Sequence, residues 1–277
     1  TDDPLTCRID TPGTDADGDP LTYRYRWIVD DTPRVLADDL SVLPAALTFE
    51  KARWTCEVRA FDGVALSEPM RAAPVTVVNT PPVAPGVIIT PRLPHTDDPL
   101  VCSLLVPAAD ADADPVRYRY VWHVDSKPWT PDPNTPPNVV PAMATARGQN
   151  WECSVTPSDG KADGPTAHAA ATIQNTPPTA PKVVIAPDRP RPGEPLRCEV
   201  VAQAVDADGD PLTYAYAWAK DGVAQGFPPL TNALPGRGVK AQDVWTCTVT
   251  AHDPASASPA AVSQDVAVVE PAKKKES

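Results

Sequence analysis

A single arrangement constrains this chain more than any other. A cysteine is followed 16 residues later by a tyrosine and 20 residues later by a tryptophan, and the pattern occurs three times. The copies read DPLTCRIDTPGTDADGDPLTYRYRW at 3–27, DPLVCSLLVPAADADADPVRYRYVW at 98–122 and EPLRCEVVAQAVDADGDPLTYAYAW at 194–218. A second string recurs in step: WTCEVRAFDG at 54–63, WECSVTPSDG at 151–160 and WTCTVTAHDP at 245–254. The period is 95 to 96 residues, and two matching linkers join the copies, NTPPVAPGVII at 79–89 and NTPPTAPKVVI at 175–185. A repeat of that length is the size of one domain. The expected domains are 1–82, 83–178 and 179–277, the last with a charged tail that carries Lys273, Lys274 and Lys275.

Within each copy the apolar residues alternate. Leu21, Tyr23, Tyr25, Trp27 and Val29 are interleaved with Thr22, Arg24 and Arg26, and Trp54, Cys56 and Val58 with Thr55, Glu57 and Arg59. Period two puts one side of an extended chain on a core and the other in water, so these segments are strands. The 37 prolines point the same way, because each removes a backbone donor and fixes φ, which suits short strands joined by stiff turns.

The six cysteines fall two to a copy: Cys7 with Cys56, Cys102 with Cys153, Cys198 with Cys247. Zinc ligands usually come as close pairs, and no C-x-x-C occurs. One disulfide inside each copy is the expected arrangement. Closing a loop of about 50 residues stabilises each domain by roughly 4 kcal/mol in the chain-entropy view. Such bridges persist in oxidising compartments, which implies an extracellular or cell-surface location. The order Cys, Trp, Cys resembles the immunoglobulin fold. That resemblance implies that Cys7, Cys102 and Cys198 lie on strand B. It puts Trp27, Trp122 and Trp218 on strand C against the bridge, and Cys56, Cys153 and Cys247 on strand F. It departs from antibody domains in having Trp54, Trp151 and Trp245 where a tyrosine is usual, two residues before the second cysteine. The DxDGDPLTYxYxW string also resembles bacterial tandem immunoglobulin-like surface repeats of the PKD and cadherin-like kinds. The expected fold is therefore all-β, three tandem immunoglobulin-like β-sandwiches arranged as a linear rod of roughly 100 Å.

Each copy carries three aspartates at alternate positions in its B–C loop: Asp15, Asp17, Asp19; Asp110, Asp112, Asp114; and Asp206, Asp208, Asp210. In the immunoglobulin-like arrangement the F–G loops share that end of the sandwich and add Asp62, Asp159 and Asp253, while the linkers add Asn79 and Asn175. Oxygen ligands at this density suit a hard cation, Ca²⁺ above all. The other reading is an acidic, solvated turn, since Asp-Gly-Asp-Pro is good turn chemistry without a metal. Ala113 replaces Gly18 and Gly209 in the second copy, a change that bears on the loop's shape.

The remaining features exclude more than they propose. A net charge of −12 and a pI near 4.7 leave no basic stripe for nucleic acid. No apolar run spans a membrane. The four histidines, His95, His123, His168 and His252, occupy non-equivalent positions, and no GxSxG, HExxH or phosphate loop occurs, so the chain reads as a non-enzyme that requires no cofactor. Trp129, the one tryptophan outside the pattern, is either an exposed binding aromatic or a locally packed one. The first copy lacks the segment (VIITPRLP, VVIAPDRP) that reads as strand A in the others. Either the chain is a section of a longer array or a neighbouring subunit supplies the strand, as in strand-complemented filaments. The expected role is structural or adhesive: a stalk, fibre or adhesin repeat, calcium-rigidified on the metal reading of the loops. Its partners would be a protein or glycan at a cell surface, or copies of itself. The alternative is a glycan- or protein-binding accessory module of a secreted hydrolase.

Overall fold

The alternating segments do form strands, and among the described residues the only helical pieces are three single 3-10 turns, Ala45–Leu47, Ala142–Ala144 and Gly236–Gly238. The structure, a computed structural model, describes residues 1–37 and 39–270; the lysines of the charged tail lie outside the described residues. The fold is all-β, a tandem array of immunoglobulin-like β-sandwiches. Two compact units emerge: Thr1–Ile88 with Cys102–Trp122 and Cys153–Ala169, and Ile89–Val101 with His123–Glu152 and Ala170–Ser277. Residues of the middle repeat contribute to both.

In the first unit, Thr22–Val29 lies antiparallel to Arg53–Phe61 with Trp27 opposite Cys56. A second, minimal sheet pairs Leu5–Thr6 with Val42–Leu43. The Cys7–Cys56 disulfide ties the two sheets together, and Trp27, Leu43, Trp54 and Val77 pack around it. The Cys102–Cys153 disulfide also belongs to this unit. In the second unit, Thr213–Lys220 lies antiparallel to Val244–His252 with Trp218 opposite Cys247. The facing sheet here has three strands, with Leu196–Ala202 between Lys182–Ala186 and Ala233–Leu234. The Cys198–Cys247 bridge and Trp218, Trp245, Leu196 and Ile185 form its core.

The tryptophans two residues before the second cysteines are core residues. Trp54 and Trp245 meet Trp27 and Trp218 edge-on, at 6.4 and 6.2 Å between ring centroids. The tyrosines do the work of a corner tie. Tyr23, Tyr118 and Tyr214 each accept a hydrogen bond on the hydroxyl from a backbone N–H ten residues upstream, of Gly13, Ala108 and Ala204, at 2.8–3.1 Å. This pins the start of the acidic loop to the tryptophan strand. At the other end of that strand the chain reverses through Asp30-Asp31, Asp125-Ser126 and Asp221-Gly222, all with positive φ as a two-residue hairpin of the right twist requires. The first aspartate of each turn also accepts a hydrogen bond from the backbone of the second-cysteine strand, at Arg53, Asn150 and Val244.

Candidate metal centre and linker clasp

The acidic loop is first of all a turn. Asp15, Asp110 and Asp206 each use Oδ1 to accept two backbone N–H bonds, from the residues two and four positions on, at 2.8–3.1 Å. That satisfies a backbone that no ladder reaches. Ala113 holds φ at +60°, in the same left-handed region as Gly18 and Gly209, so the middle loop keeps the shape of its neighbours. The F–G aspartates are turn residues too. Asp62, Asp159 and Asp253 accept on Oδ1 from the N–H groups two and three residues on. The N–H groups of Ala65 and Val64 hold the Asp62 carboxyl below the usual carboxylate range.

The free oxygens of these turns receive the linker that precedes them. In the first unit Asn79 donates its amide to Asp159 Oδ2 at 2.8 Å, and the Thr80 N–H donates to Asp112 Oδ2 at 2.8 Å. In the second unit Asn175 donates to Asp253 Oδ2 at 3.0 Å, and the Thr176 N–H donates to Asp208 Oδ2 at 2.7 Å. The Asn-Thr of NTPP is thus a two-pronged clasp on the B–C and F–G loops of the repeat that follows it. Burial works against ionisation of Asp112 and Asp253. The Thr80 N–H and Thr1 hydroxyl on the one, and the Ser256 hydroxyl and Asn175 amide on the other, prevail and hold both carboxyls low. The Ala162 N–H and the Asn79 amide do the same for Asp159.

Cations complete the two clasps from opposite sides. At the first, Lys161 donates to Asp114 at 2.7 Å and to Glu50 of the preceding repeat at 2.5 Å. The Asp114 and Glu50 bonds raise the Lys161 ammonium above its ordinary range. At the second, Arg147 of the preceding repeat grips Asp210 with both terminal nitrogens and donates to Asn175 Oδ1 at 2.8 Å. Arg147 occupies the position that Glu50 holds one repeat earlier, and the counterpart of Lys161 is the neutral Ala255. Where the earlier repeat presents an acid, the later repeat supplies a lysine; where it presents an arginine, no lysine is needed. Thr96 adds a hydroxyl bond to Asp208.

The three loops differ in what they offer a metal. Around Asp110, Asp112 and Asp114 one oxygen from each carboxylate lies within 4.8 Å of the others. Asp110 Oδ2, Asp112 Oδ1 and Asn79 Oδ1 are buried atoms with no hydrogen-bond partner. Hard oxygens left without donors are what a Ca²⁺ ion requires, although it takes six to eight ligands and water would have to supply the rest. In the third repeat's acidic loop, among the described residues, only Asp206 Oδ2 is left over in this way, and Arg147 holds Asp210. In the first repeat Asp15 is half-buried, Asp17 and Asp19 are exposed, and Asp62 serves its own turn. Trp129 is half-buried and packs edge-on against Trp151 at 5.3 Å. Sequence reasoning singled out Asn79, Asn175 and the aspartates but missed Thr80, Thr176, Lys161, Arg147 and Glu50. The signal that would have found them is the paired change from Glu50 to Arg147 and from Lys161 to Ala255.

No protein-family model matches the sequence, and no curated protein matches it. Among solved structures the chain is similar to the crystal structure of the chicken CNTN1 FN1–FN3 domains, at 13% identity over 89% of each chain and a TM-score of 0.34. So loose a superposition carries no argument, and the immunoglobulin-like assignment rests on the strand pairing, the bridges and the buried tryptophans.

Proposed function

We propose that this chain is a structural segment of an extracellular or cell-surface protein, a stalk, fibre or adhesin repeat of the bacterial tandem immunoglobulin-like kind, in which the domains 1–82, 83–178 and 179–277 are held in series by fixed joints. The observation that supports it is the linker clasp, made twice with the same Asn-Thr and the same pair of acidic loops. A flexible tether would need none of these bonds. The prolines that follow each clasp, Pro81-Pro82 and Pro177-Pro178, stiffen the linker further, and one disulfide per repeat resists extension of each domain. Three disulfides are compatible with an oxidising compartment. The reading gives the chain no catalytic role; its partners are surface proteins or glycans, or other copies of itself.

On this reading Ca²⁺ binds the second repeat's loop through Asp110, Asp112, Asp114 and Asn79, where the orphaned oxygens lie, and tightens the first joint. The test is a distance distribution across that joint from spin labels at exposed sites on Thr22–Val29 and Arg117–Val124, recorded in EGTA and in millimolar Ca²⁺. A narrow distribution in both supports a joint fixed by the clasp. Further narrowing with Ca²⁺, not reproduced by Mg²⁺ and lost in Asp110→Asn, supports the metal. A broad distribution in both conditions overturns the structural reading.

A further inference from the structure

One face of the first repeat inverts the charge of the chain. In Thr22–Val29, Arg53–Phe61 and Met70–Arg71 the residues between the core positions stand on the far side of the sheet. They include Arg24 and Arg26 on the first strand, Arg53, Glu57 and Arg59 on the second, and Arg71 on the third. Five arginines and one acid thus share a face in a chain of net charge −12. They lie at alternate positions of three strands, so no basic run marks them in the sequence.

The register sets them in two rows. Arg26, Glu57 and Arg71 stand side by side across the three strands, and Arg24 stands opposite Arg59 in the next row. Glu57 is buried. Arg71 donates to it through Nε at 3.0 Å, and Arg59 approaches it through Nε at 3.7 Å. One buried carboxylate therefore orients both side chains, and their terminal nitrogens have no hydrogen-bond partner among the described residues. Arg24 and Arg59 are like charges directly opposite each other, an arrangement that costs stability with no anion bound. The fold does not require it. In the third repeat Ala215, Ala217, Thr248, Thr250 and Val262 stand at the positions of Arg24, Arg26, Glu57, Arg59 and Arg71. The second repeat keeps one arginine of this set, Arg119, and Asp163 approaches it at 3.5 Å.

What the face lacks narrows its partner. No large apolar side chain is exposed on this side of the three strands: Ile28 is buried, and Phe61 is half-buried with Arg24 over its ring at 5.5 Å. A protein interface needs an apolar or aromatic anchor, and single-stranded nucleic acid needs rings on which to stack. A hydrated anionic polymer needs neither. Glu57 displays the acceptor that these forks fit, a planar carboxylate. We infer that the arginine face binds an acidic polysaccharide carrying a carboxylate on each sugar, with Arg59 and Arg71 as carboxylate forks and Arg24 and Arg26 extending the track. The choice of a polysaccharide among polyanions rests on the extracellular reading above; the arginine face itself does not.

The test is binding of the whole chain to immobilised polygalacturonate at about 50 and about 200 mM salt, in EGTA so that no Ca²⁺ bridges polymer and protein. Saturable binding that weakens with salt is expected. Arg24→Gln with Arg26→Gln leaves both contacts to Glu57 in place and should weaken binding about tenfold at the lower salt, with an unchanged thermal melt. Arg119→Gln, outside the face, should change it less than about twofold. Arg59→Lys with Arg71→Lys keeps the charge and removes the forks, and should weaken binding about threefold or more; equal binding by this variant overturns the role given to the forks. Binding that ignores Arg24 and Arg26 overturns the site. No binding to polygalacturonate, polyglutamate or duplex DNA overturns the face as an anion site and leaves the extracellular reading standing. Binding to polyglutamate or DNA as tight as to polygalacturonate overturns the polysaccharide, and a preference for DNA overturns the extracellular reading with it.

Discussion

Equivalent core leucines are unequally buried, and the consequence can be worked from the structure. Leu196 is fully buried, opposite Leu234 and beneath the leading strand Lys182–Ala186. Cutting it to alanine leaves a sealed cavity, which in closed cores costs about 3–5 kcal/mol. Leu5 sits opposite Leu43 but is only half-buried. Its truncation leaves no sealed void and loses only part of a leucine's transfer energy, about 1 kcal/mol. In a chain of several repeats a single global unfolding energy is ill defined, so the comparison is best made by hydrogen exchange read separately on Arg53–Phe61 and Val244–His252. At a tenfold change per 1.4 kcal/mol, Leu196→Ala should speed exchange in Val244–His252 by roughly 10²- to 4 × 10³-fold. Leu5→Ala should speed it in Arg53–Phe61 by roughly fivefold to tenfold. Leu100→Ala should behave like Leu196→Ala. Losses of the same size for Leu5 and Leu196 would refute the reasoning, since they would mean that the first core is as closed as the third.

Two further predictions test the loops. Asp112, Asp159 and Asp253 have folded-state pKa values below their unfolded ones. Their contribution to stability is therefore complete above the unfolded carboxylate value of about 3.9 and lost as pH falls through the lower folded values. The urea midpoint should hold from pH 7 to about 5 and drop below about pH 4. A chain of net charge −12 governed by self-repulsion alone would instead gain stability on acidification, so a rise is the refuting result. Gly209→Ala forces a Cβ into φ +76° in open space, so the backbone alone bears the strain, and it should cost about 1 kcal/mol; Ala113→Gly, at φ +60°, should be neutral or stabilising by up to about 1 kcal/mol. Thermal melts check both, and equal effects of the same sign would show that the two loops do not share a conformation.

What could be read from the residues was whatever depends on chain-local physics. Two-residue alternation yields strands whatever the partner. A cysteine, a tryptophan and a second cysteine at fixed spacing leave few ways to build a core, and Trp27 opposite Cys56 and Trp218 opposite Cys247 follow from them. The acidic loops were legible only as density of charge. Two opposed readings, metal ligand and turn residue, fitted them, and the geometry divides the same carboxylate between both. Asp110 spends Oδ1 on the turn and keeps Oδ2 without a partner. No count of aspartates reveals that division, because it is set atom by atom.

The clasp was hidden for a different reason. Comparing repeats position by position favours residues that stay the same, and the cations at the joints do not. Both joints face one problem, a B–C aspartate brought against the preceding repeat. Glu50 would add to that charge, and Lys161 bridges it to Asp114; Arg147 removes it directly at Asp210, and Ala255 needs no charge. What the two joints share is a balance of charge rather than a residue. It becomes visible only when positions 50 and 161 are read as a pair, and 147 and 255 as their counterparts. The uncharged prongs, Thr80 and Thr176, act through backbone N–H groups that any residue but proline would offer. Their side chains therefore carry no trace of the contact, whereas Asn79 and Asn175, which bond through their amides, do.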